Sequence, residues 1–264
     1  MTTQPAFHLV VTCVKRKKDL SAEKVRLDTG VTRETVDQSY RGWLKRLQAA
    51  TLGCSAKDLY MGATWNAAID AFNEIDRNIF KPHLWVVSCG YGLIGADDRI
   101  TSYRLTFKHG EADSLCSEQV QSEERKILVA DWWDKLTVSP PLRQNQPSSL
   151  RELIYSLTSQ DQLLMAAGEE YYSAVATDLS MADNGKVAKQ CVFVGKAGIF
   201  DVGFPEVFKQ KHDSWPEGRC GDLMLRLGEE FGGCNKVQVL NRRAQYLIKN
   251  YFNRGIVPMI FPAE

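Results

Sequence analysis

The 264-residue chain carries 33 lysines and arginines against 32 acidic residues, so its net charge of +1 creates no overall field that would attract nucleic acid. Its hydrophobic content of 44% and charged content of 25% are those of a soluble globular protein with a sizeable core. Any binding of nucleic acid must therefore depend on a local cluster of cations.

The cysteines and the apolar segments indicate where the protein works. Seven scattered cysteines, none in a Cys-x-x-Cys pair, favour reduced thiols over a zinc site or a disulfide framework. The apolar run at residues 9–11 is too short for a signal peptide, and no segment reaches the length of a transmembrane helix. The sequence predicts a cytoplasmic protein with no membrane association, no metal and no cofactor, and it indicates no obligate protein partner.

Predicted strands and helices alternate along the chain. Apolar, β-branched runs predict strands over Phe7–Val14, Leu84–Ser88 and Gln190–Val194. Helical spacing of apolar residues predicts helices over 33–50, 62–72, 117–136, 222–231 and 241–253, and a mostly helical stretch over 150–181. This order predicts an α/β fold with a mainly parallel central sheet covered by helices on both faces. We expect the strands near Leu9, Val86 and Val192 to lie inside that sheet.

We interpret residues 1–264 as a single domain. The segment Thr137–Ser149 contains three prolines and reads as a long surface connection, with a subdomain boundary as the alternative. The preceding predicted helix contains the pair Trp132-Trp133. Because adjacent helical residues face different directions, we expect one indole in the core and one towards the surface.

The loop that follows the second predicted strand is the most informative segment. A short apolar run ends at Ser88, and a loop rich in glycine, acidic and aromatic residues continues to Tyr103. A buried parallel strand that ends in this way lies at the carboxyl edge of the sheet, where α/β folds bind their ligands. An ordinary strand followed by a tight structural loop is an equally good interpretation.

Two further segments are expected at the same edge. Lys15–Lys18 are four consecutive cations after the first strand, and Asp58-Leu59-Tyr60 precede the second helix. Cations beside aromatic rings are what a phosphodiester and an unstacked base require. The alternatives are a solvated turn for the cations and a helix-start packing role for Tyr60.

The order of these segments resembles a family of bacterial and viral proteins. Its pattern has a cysteine and a basic run after the first strand, then Ala-x-Asp-Leu-Tyr, here Ala56–Tyr60, and then Ser-x-x-x-Gly-Leu-Ile, here Ser88–Ile94. The pattern is similar in outline to YaaA-type DNA-binding proteins, whose final Tyr-Arg-Leu matches residues 103–105. The wider group resembles the uracil-DNA-glycosylase-like fold, a three-layer α/β/α arrangement.

The resemblance covers about residues 9–107 and departs from the family at one place. Gly95-Ala96 stand where a proline is usual. The chain also lacks the Gly-Gln-Asp-Pro-Tyr and His-Pro-Ser motifs of true uracil-DNA glycosylases.

The resemblance implies a DNA glycosylase that removes glucosylated hydroxymethylcytosine from double-stranded phage DNA and so acts in antiviral defence. Such an enzyme flips the target nucleotide into a pocket, and a carboxylate stabilises the positive charge that develops on the sugar. The candidates are Asp97, Asp98 and, in reserve, Asp58 for catalysis; Tyr60, Ser88, Tyr91, Gly92 and Tyr103 for substrate binding; and Lys15, Lys17, Lys18, Arg242 and Arg243 for phosphate binding.

Two other functions fit the same residues. A YaaA-like protein would bind DNA without cleaving a bond. A nucleotide- or nucleoside-processing enzyme would use the same sheet edge, since many unrelated α/β folds bind nucleotides there.

Overall fold

The computed structural model describes residues 4–18, 25–27, 30–51, 53–142, 146–194, 236–250 and 252–254. Its centre is a sheet of five strands in the order β5-β4-β1-β8-β9. These strands are β1 (Ala6–Thr12), β4 (Lys81–Ser88), β5 (Gly92–Gly95), β8 (Gln162–Ala166) and β9 (Cys191–Val194). Two-residue strands form two small ladders beside it: β2 (Val25–Arg26) with β7 (Tyr103–Arg104), and β3 (Cys54–Ser55) with β6 (Arg99–Ile100).

The central sheet is mostly parallel, as the alternation of elements predicts. β1 pairs in parallel with β4 and β8, and β9 is parallel to β8, whereas β5 turns back antiparallel to β4. Every residue of β1 from Phe7 to Thr12 is buried, so both faces of this strand are covered. The strands near Leu9 and Val86 lie inside the sheet as expected, but β9, which contains Val192, is the outermost strand on its side within the described residues.

Four of the five individual helices predicted from apolar spacing overlap helices of the structure. They are α1 (Val36–Ala49), α2 (Ala56–Leu59), α3 (Ala63–Asn73), α4 (Ser122–Val138), α5 (Leu150–Ser156), α6 (Glu169–Ala174), α7 (Ala176–Ser180), α8 (Asn184–Gln190) and α9 (Lys236–Asn250), followed by a 3-10 turn at Phe252–Arg254. The helix predicted over 222–231 lies outside the described residues. No helix in the described part of the chain is long and apolar enough to cross a bilayer.

The stretch predicted as mostly helical over 150–181 contains α5, α6 and α7, but the prediction misses the strand β8 within it. This strand reads Gln-Leu-Leu-Met-Ala, and leucine, methionine and alanine favour helices in isolation. All five residues are buried beside β1, so pairing and burial in the sheet override the local preference. The proline-containing connection runs between α4 and α5, and residues on both sides of it belong to one hydrophobic core.

Both tryptophans of α4 are fully buried, contrary to the expectation that one would face the surface. The Trp132 indole donates to the Cys89 carbonyl at the sheet edge, at 2.9 Å. The Trp133 indole donates to Asp178 Oδ2 on α7, at 3.0 Å. The buried residues of α4 therefore form one stripe wide enough to include two adjacent residues: Leu128, Val129, Trp132, Trp133 and Leu136.

Asp178 is a buried carboxylate that links three helices. Its Oδ2 accepts hydrogen bonds from the Trp133 indole and from the Leu150 backbone N–H, both at 3.0 Å. Burial raises the pKa of this carboxyl above its ordinary value, although the two hydrogen bonds act in the opposite direction. The folded state therefore holds the proton more tightly than the unfolded state, and the stability contributed by Asp178 falls as pH rises from the unfolded pKa through the folded pKa.

We expect Asp178→Asn to keep both hydrogen bonds, because its amide oxygen can replace Oδ2, and to remove the cost of a buried charge. The free energy of unfolding of this variant relative to wild type should therefore rise as pH increases above about 4. Urea unfolding at a series of pH values measures the difference. Parallel pH profiles for the two proteins would contradict the assignment.

Candidate functional site

A pocket of about 400 Å³ opens at the carboxyl edge of β1, beside β7. This volume lies within the range of small-molecule binding sites, about 300–1,000 Å³. Four of its lining residues are cations and one is a carboxylate. The full lining consists of Lys15, Arg16, Lys17, Ser102, Tyr103, Arg104 and Asp113.

The basic loop after β1 is fixed against the end of α2. Lys18 N donates to the Leu59 carbonyl at 2.8 Å, and Met61 N donates to the Arg16 carbonyl at 3.1 Å. Lys17 and Tyr60 form an isolated bridge between these two backbone hydrogen bonds. The backbone therefore holds the pocket cations in place even though several of their side chains are exposed.

Lys17 is the cation most closely integrated into the site. Its Nζ donates to the Val14 carbonyl at 3.0 Å and lies 4.1 Å from the centre of the Tyr103 ring and 5.5 Å from that of Tyr60. An ammonium over an aromatic face is attracted to the ring by about 0.5–2 kcal/mol. Lys17 therefore supports the wall of the pocket as well as adding positive charge to it.

Ser102 directly precedes β7, and Asp113 lies in the loop that follows β7. Both line the pocket together with the cations. Ser102 is 1% exposed, and its Oγ has no hydrogen-bond partner among the described atoms. A buried hydroxyl without a partner costs about 1–3 kcal/mol, which makes Ser102 a candidate contact for a polar ligand atom. Asp113 is half-buried, and its carboxylate has no ion-pair partner among the described residues.

The three predicted substrate-binding tyrosines are buried, and only Tyr103 lines the pocket. Tyr60 and Tyr103 hydroxyls lie 2.9 Å apart, and Ser88 Oγ lies 2.8 Å from the Tyr103 hydroxyl. Ser88 Oγ also accepts from Tyr91 N at 3.2 Å, and the Tyr91 hydroxyl accepts from Thr101 N at 3.0 Å. Burial raises the pKa of both Tyr60 and Tyr103, so both phenols are neutral at pH 7.

Gly92, the remaining predicted contact, has a structural role in the same turn. Its φ of +81° lies in the left-handed region, and the Leu136 backbone oxygen would be 3.3 Å from any added Cβ. Glycine therefore lets the chain reverse from β4 into β5 close against α4.

The three predicted catalytic carboxylates lie together, but they are not part of the pocket lining. Asp98 Oδ2 accepts from Gly95 N at 2.7 Å, and exposed Asp97 forms an ion pair with Lys57 at 2.5 Å. Asp58 accepts from Ser55 Oγ at 2.5 Å.

The antiparallel course of β5 explains this position. Ala96 N donates to the Leu84 carbonyl, four residues before Ser88 along β4. At about 3.3 Å per residue, the Asp97-Asp98 turn is roughly 13 Å from the carboxyl edge of that strand.

The predicted phosphate contacts are divided between several regions. Lys15 lines the pocket and forms an ion pair with Glu111 at 2.5 Å, whereas exposed Lys18 is not among the lining residues. Arg242, on α9, pairs with Asp70 of α3 at 2.9 Å and therefore joins two helices. The side chain of Arg243 lies outside the described residues.

No model of a known protein family matches this chain, and no curated protein matches it either.

Sequence reasoning missed four lining residues of the pocket. Arg16 stands inside the predicted cation run, and Arg104 follows Tyr103 directly, so their neighbours give a partial signal. Ser102 directly precedes Tyr103 in the segment that carries the resemblance, whereas Asp113 carries no motif of its own. Asp113 reaches the site because Thr106 N donates to its carbonyl at 2.8 Å, a contact between loop residues that no local pattern encodes.

Proposed function

We propose that the protein binds DNA and holds one extruded nucleotide unit in the pocket at the carboxyl edge of β1. The observation that carries this proposal is the pocket lining, in which Lys15, Arg16, Lys17 and Arg104 surround a buried hydroxyl without a partner among the described atoms. Lysine and arginine are the residues that neutralise nucleic-acid phosphates. The Ser102 hydroxyl supplies a further polar contact for a sugar or a base.

The size of the pocket favours one nucleotide over a stacked strand. Its volume of about 400 Å³ is at the scale of a single small ligand. Enzymes that act on a base in duplex DNA extrude that nucleotide from the stack into such a pocket. Tyr103 is the one aromatic residue among the described lining residues, and its ring is buried, so it does not provide an exposed platform for a row of bases.

The salt dependence of DNA binding tests this proposal. We expect the triple substitution Lys15→Ala, Arg16→Ala and Arg104→Ala to reduce the slope of log affinity against log salt by up to about three units, because each lost phosphate contact lowers it by about one. Lys17 is left in place because it also supports Tyr103. Fluorescence anisotropy with a labelled duplex at several salt concentrations gives the slopes.

A matched triple variant controls for the loss of total charge. Arg41 and Lys45 are exposed on α1, and Lys126 is half-exposed on α4 with Glu123 as its ion-pair partner. Their replacement by alanine removes the same formal charge away from the pocket. If both triple variants change the slope equally, the pocket is not the phosphate site.

We propose base excision as the reaction of this site. Asp113 is the one carboxylate among the described residues that line the pocket, and it lies beside the Ser102 hydroxyl and the four cations. In this reaction the bond between C1′ and the base breaks with its electrons leaving on the base. A water oxygen then bonds to C1′, and the proton lost by that water neutralises the base. A fixed carboxylate stabilises the cationic sugar of the transition state.

The motif resemblance extends this proposal to the substrate, the fold and the biological setting. Glucosylated hydroxymethylcytosine is the proposed base, and the proposed role is defence against phage DNA in the cytoplasm. A three-layer arrangement of the uracil-DNA-glycosylase kind is the corresponding fold proposal.

Incubation of the protein with duplex DNA that contains glucosylated hydroxymethylcytosine tests the reaction. We expect abasic sites, detected as strand breaks after alkali treatment, and none in the same duplex with unmodified cytosine. Binding of DNA without abasic sites would favour a non-catalytic DNA-binding protein. Binding of free nucleotides in preference to DNA would favour a nucleotide-processing enzyme.

A further inference from the structure

Two cysteines lie side by side at the same edge of the sheet, outside the pocket lining. Cys13 follows β1 and Cys89 follows β4, so the parallel pairing of these strands brings the two residues together. Their Sγ atoms are 3.4 Å apart. The hydroxyl of Tyr171, on α6, lies 3.2 Å from Cys13 Sγ and 3.3 Å from Cys89 Sγ.

The spacing of the two strands suits a covalent link between these cysteines. Cys13 N donates to the Val87 carbonyl at 3.0 Å, so the β1–β4 pairing continues to the cysteine itself. Thr12 pairs with Val87, so Cys13 and Cys89 are offset by one residue along neighbouring strands. A strand spacing of about 4.8 Å and a rise of about 3.3 Å per residue place their Cα atoms roughly 6 Å apart, within the range of about 4.4–6.8 Å that disulfides span. The sulfur atoms at 3.4 Å need to approach by only about 1.4 Å to reach bonding distance.

The surroundings of the two thiols differ in a way that favours reaction between them. Burial opposes ionisation of Cys13, but the hydrogen bond with Cys89, the charge of Lys17 and the Tyr171 hydroxyl outweigh it and lower the pKa of Cys13 to about 5. Burial raises the pKa of the Cys89 thiol, and the neighbouring Cys13 raises it further. A thiolate beside a protonated thiol is the arrangement from which a disulfide forms by successive attack.

We propose that Cys13 and Cys89 are a redox-active pair, which a small hydroperoxide converts to a reversible disulfide. The Cys13 sulfur attacks the O–O bond of hydrogen peroxide, which forms a sulfenic acid and releases hydroxide. The Cys89 sulfur then attacks the Cys13 sulfur and displaces its hydroxyl, which leaves as water with the thiol proton. Overall, two thiols lose two electrons and two protons, and one peroxide becomes two waters.

The burial of the pair determines which oxidant is suitable. Cys13 is 5% exposed and Cys89 is 0% exposed, so both residues are buried and a small oxidant is required. Cys54 is half-buried on β3, and burial raises the pKa of its thiol. Cys54 therefore provides a control cysteine that lacks activation and has no thiol neighbour within the described part of the chain.

Non-reducing peptide mapping tests the proposal directly. Trypsin cleaves after Lys15, Arg77 and Arg99 but not before Pro82, so the two cysteines fall in peptides 1–15 and 78–99. We expect hydrogen peroxide to produce these peptides as one linked species, two hydrogen atoms lighter than their sum. Dithiothreitol should separate them again.

Four variants sharpen the test. The linked species should be absent from Cys13→Ser and from Cys89→Ser, and it should persist in Cys54→Ser. Tyr171→Phe should still form it, but more slowly, because the thiolate loses a hydrogen-bond donor. Oxidation of wild-type protein to Cys13 sulfinic acid without the linked species, or linkage of Cys13 to a different cysteine, would overturn the proposal.

Discussion

Asp113→Asn is expected to slow base release from modified DNA by at least about 10²-fold, the typical cost of losing one electrostatic partner of a transition state. Asparagine has nearly the same shape as aspartate but cannot stabilise a developing positive charge. The affinity for DNA should change little, because the four pocket cations remain. Single-turnover measurement of abasic sites gives the rate, and anisotropy gives the affinity.

The three carboxylates predicted from the sequence provide the comparison. Asp97→Asn, Asp98→Asn and Asp58→Asn test whether the chemistry lies instead at the turn near Leu84 and at α2. If one of these slows base release by a similar factor and Asp113→Asn does not, the chemistry belongs at that turn and not in the pocket. If all four variants keep full activity, none of these four carboxylates supports the reaction.

The sequence predicts the centre of the fold well, because burial and composition agree there. β1 and the second part of β4, Leu84–Ser88, are largely apolar and rich in valine, and both lie inside the sheet with these β4 residues and Phe7–Thr12 of β1 buried. The sequence of β8 favours a helix instead, because Leu163, Leu164 and Met165 lack β-branching. Its identity as a strand depends on pairing with β1, which is distant in the sequence.

The candidate site shows a similar division between local and long-range information. The basic loop and Tyr103 can be placed at one edge because strand ends follow from the alternation of elements. The same reasoning also places Asp97 and Asp98 at that edge. In the structure β5 runs back along β4 and carries them away from the edge, which the sequence does not show. The sequence does not place Asp113 in the pocket, because its position there depends on contacts between loop residues.

The contacts of Trp43 are a further feature that the sequence does not predict. Trp43 lies on the predicted face of α1, yet nothing in its spacing shows that its indole donates to the Gly90 carbonyl at 2.8 Å. Its ring also packs edge-on against Tyr103, with centroids 6.0 Å apart. A Cβ added at Gly90 would lie 2.9 Å from Trp43 and 3.0 Å from Tyr103, so this glycine permits the close packing.

Because of these contacts, Trp43→Ala should cause a large loss of stability, about 3–5 kcal/mol in the free energy of unfolding. Trp43 is 0% exposed, so its removal leaves a cavity between α1, the Gly90 turn and Tyr103. It also leaves the buried Gly90 carbonyl without its donor. Urea unfolding followed by circular dichroism measures the loss.

Two variants on the same helix separate packing from hydrogen bonding. Trp43→Phe retains an aromatic ring but loses the N–H, so its loss of stability should fall between those of wild type and Trp43→Ala. Lys45→Ala removes an exposed side chain two residues away and should stay within about 0.5 kcal/mol of wild type. A loss below about 1 kcal/mol for Trp43→Ala would mean that this indole does not support the turn. In that event the Tyr103 wall of the pocket would have to be held by Lys17 and by the hydroxyl contacts with Tyr60 and Ser88.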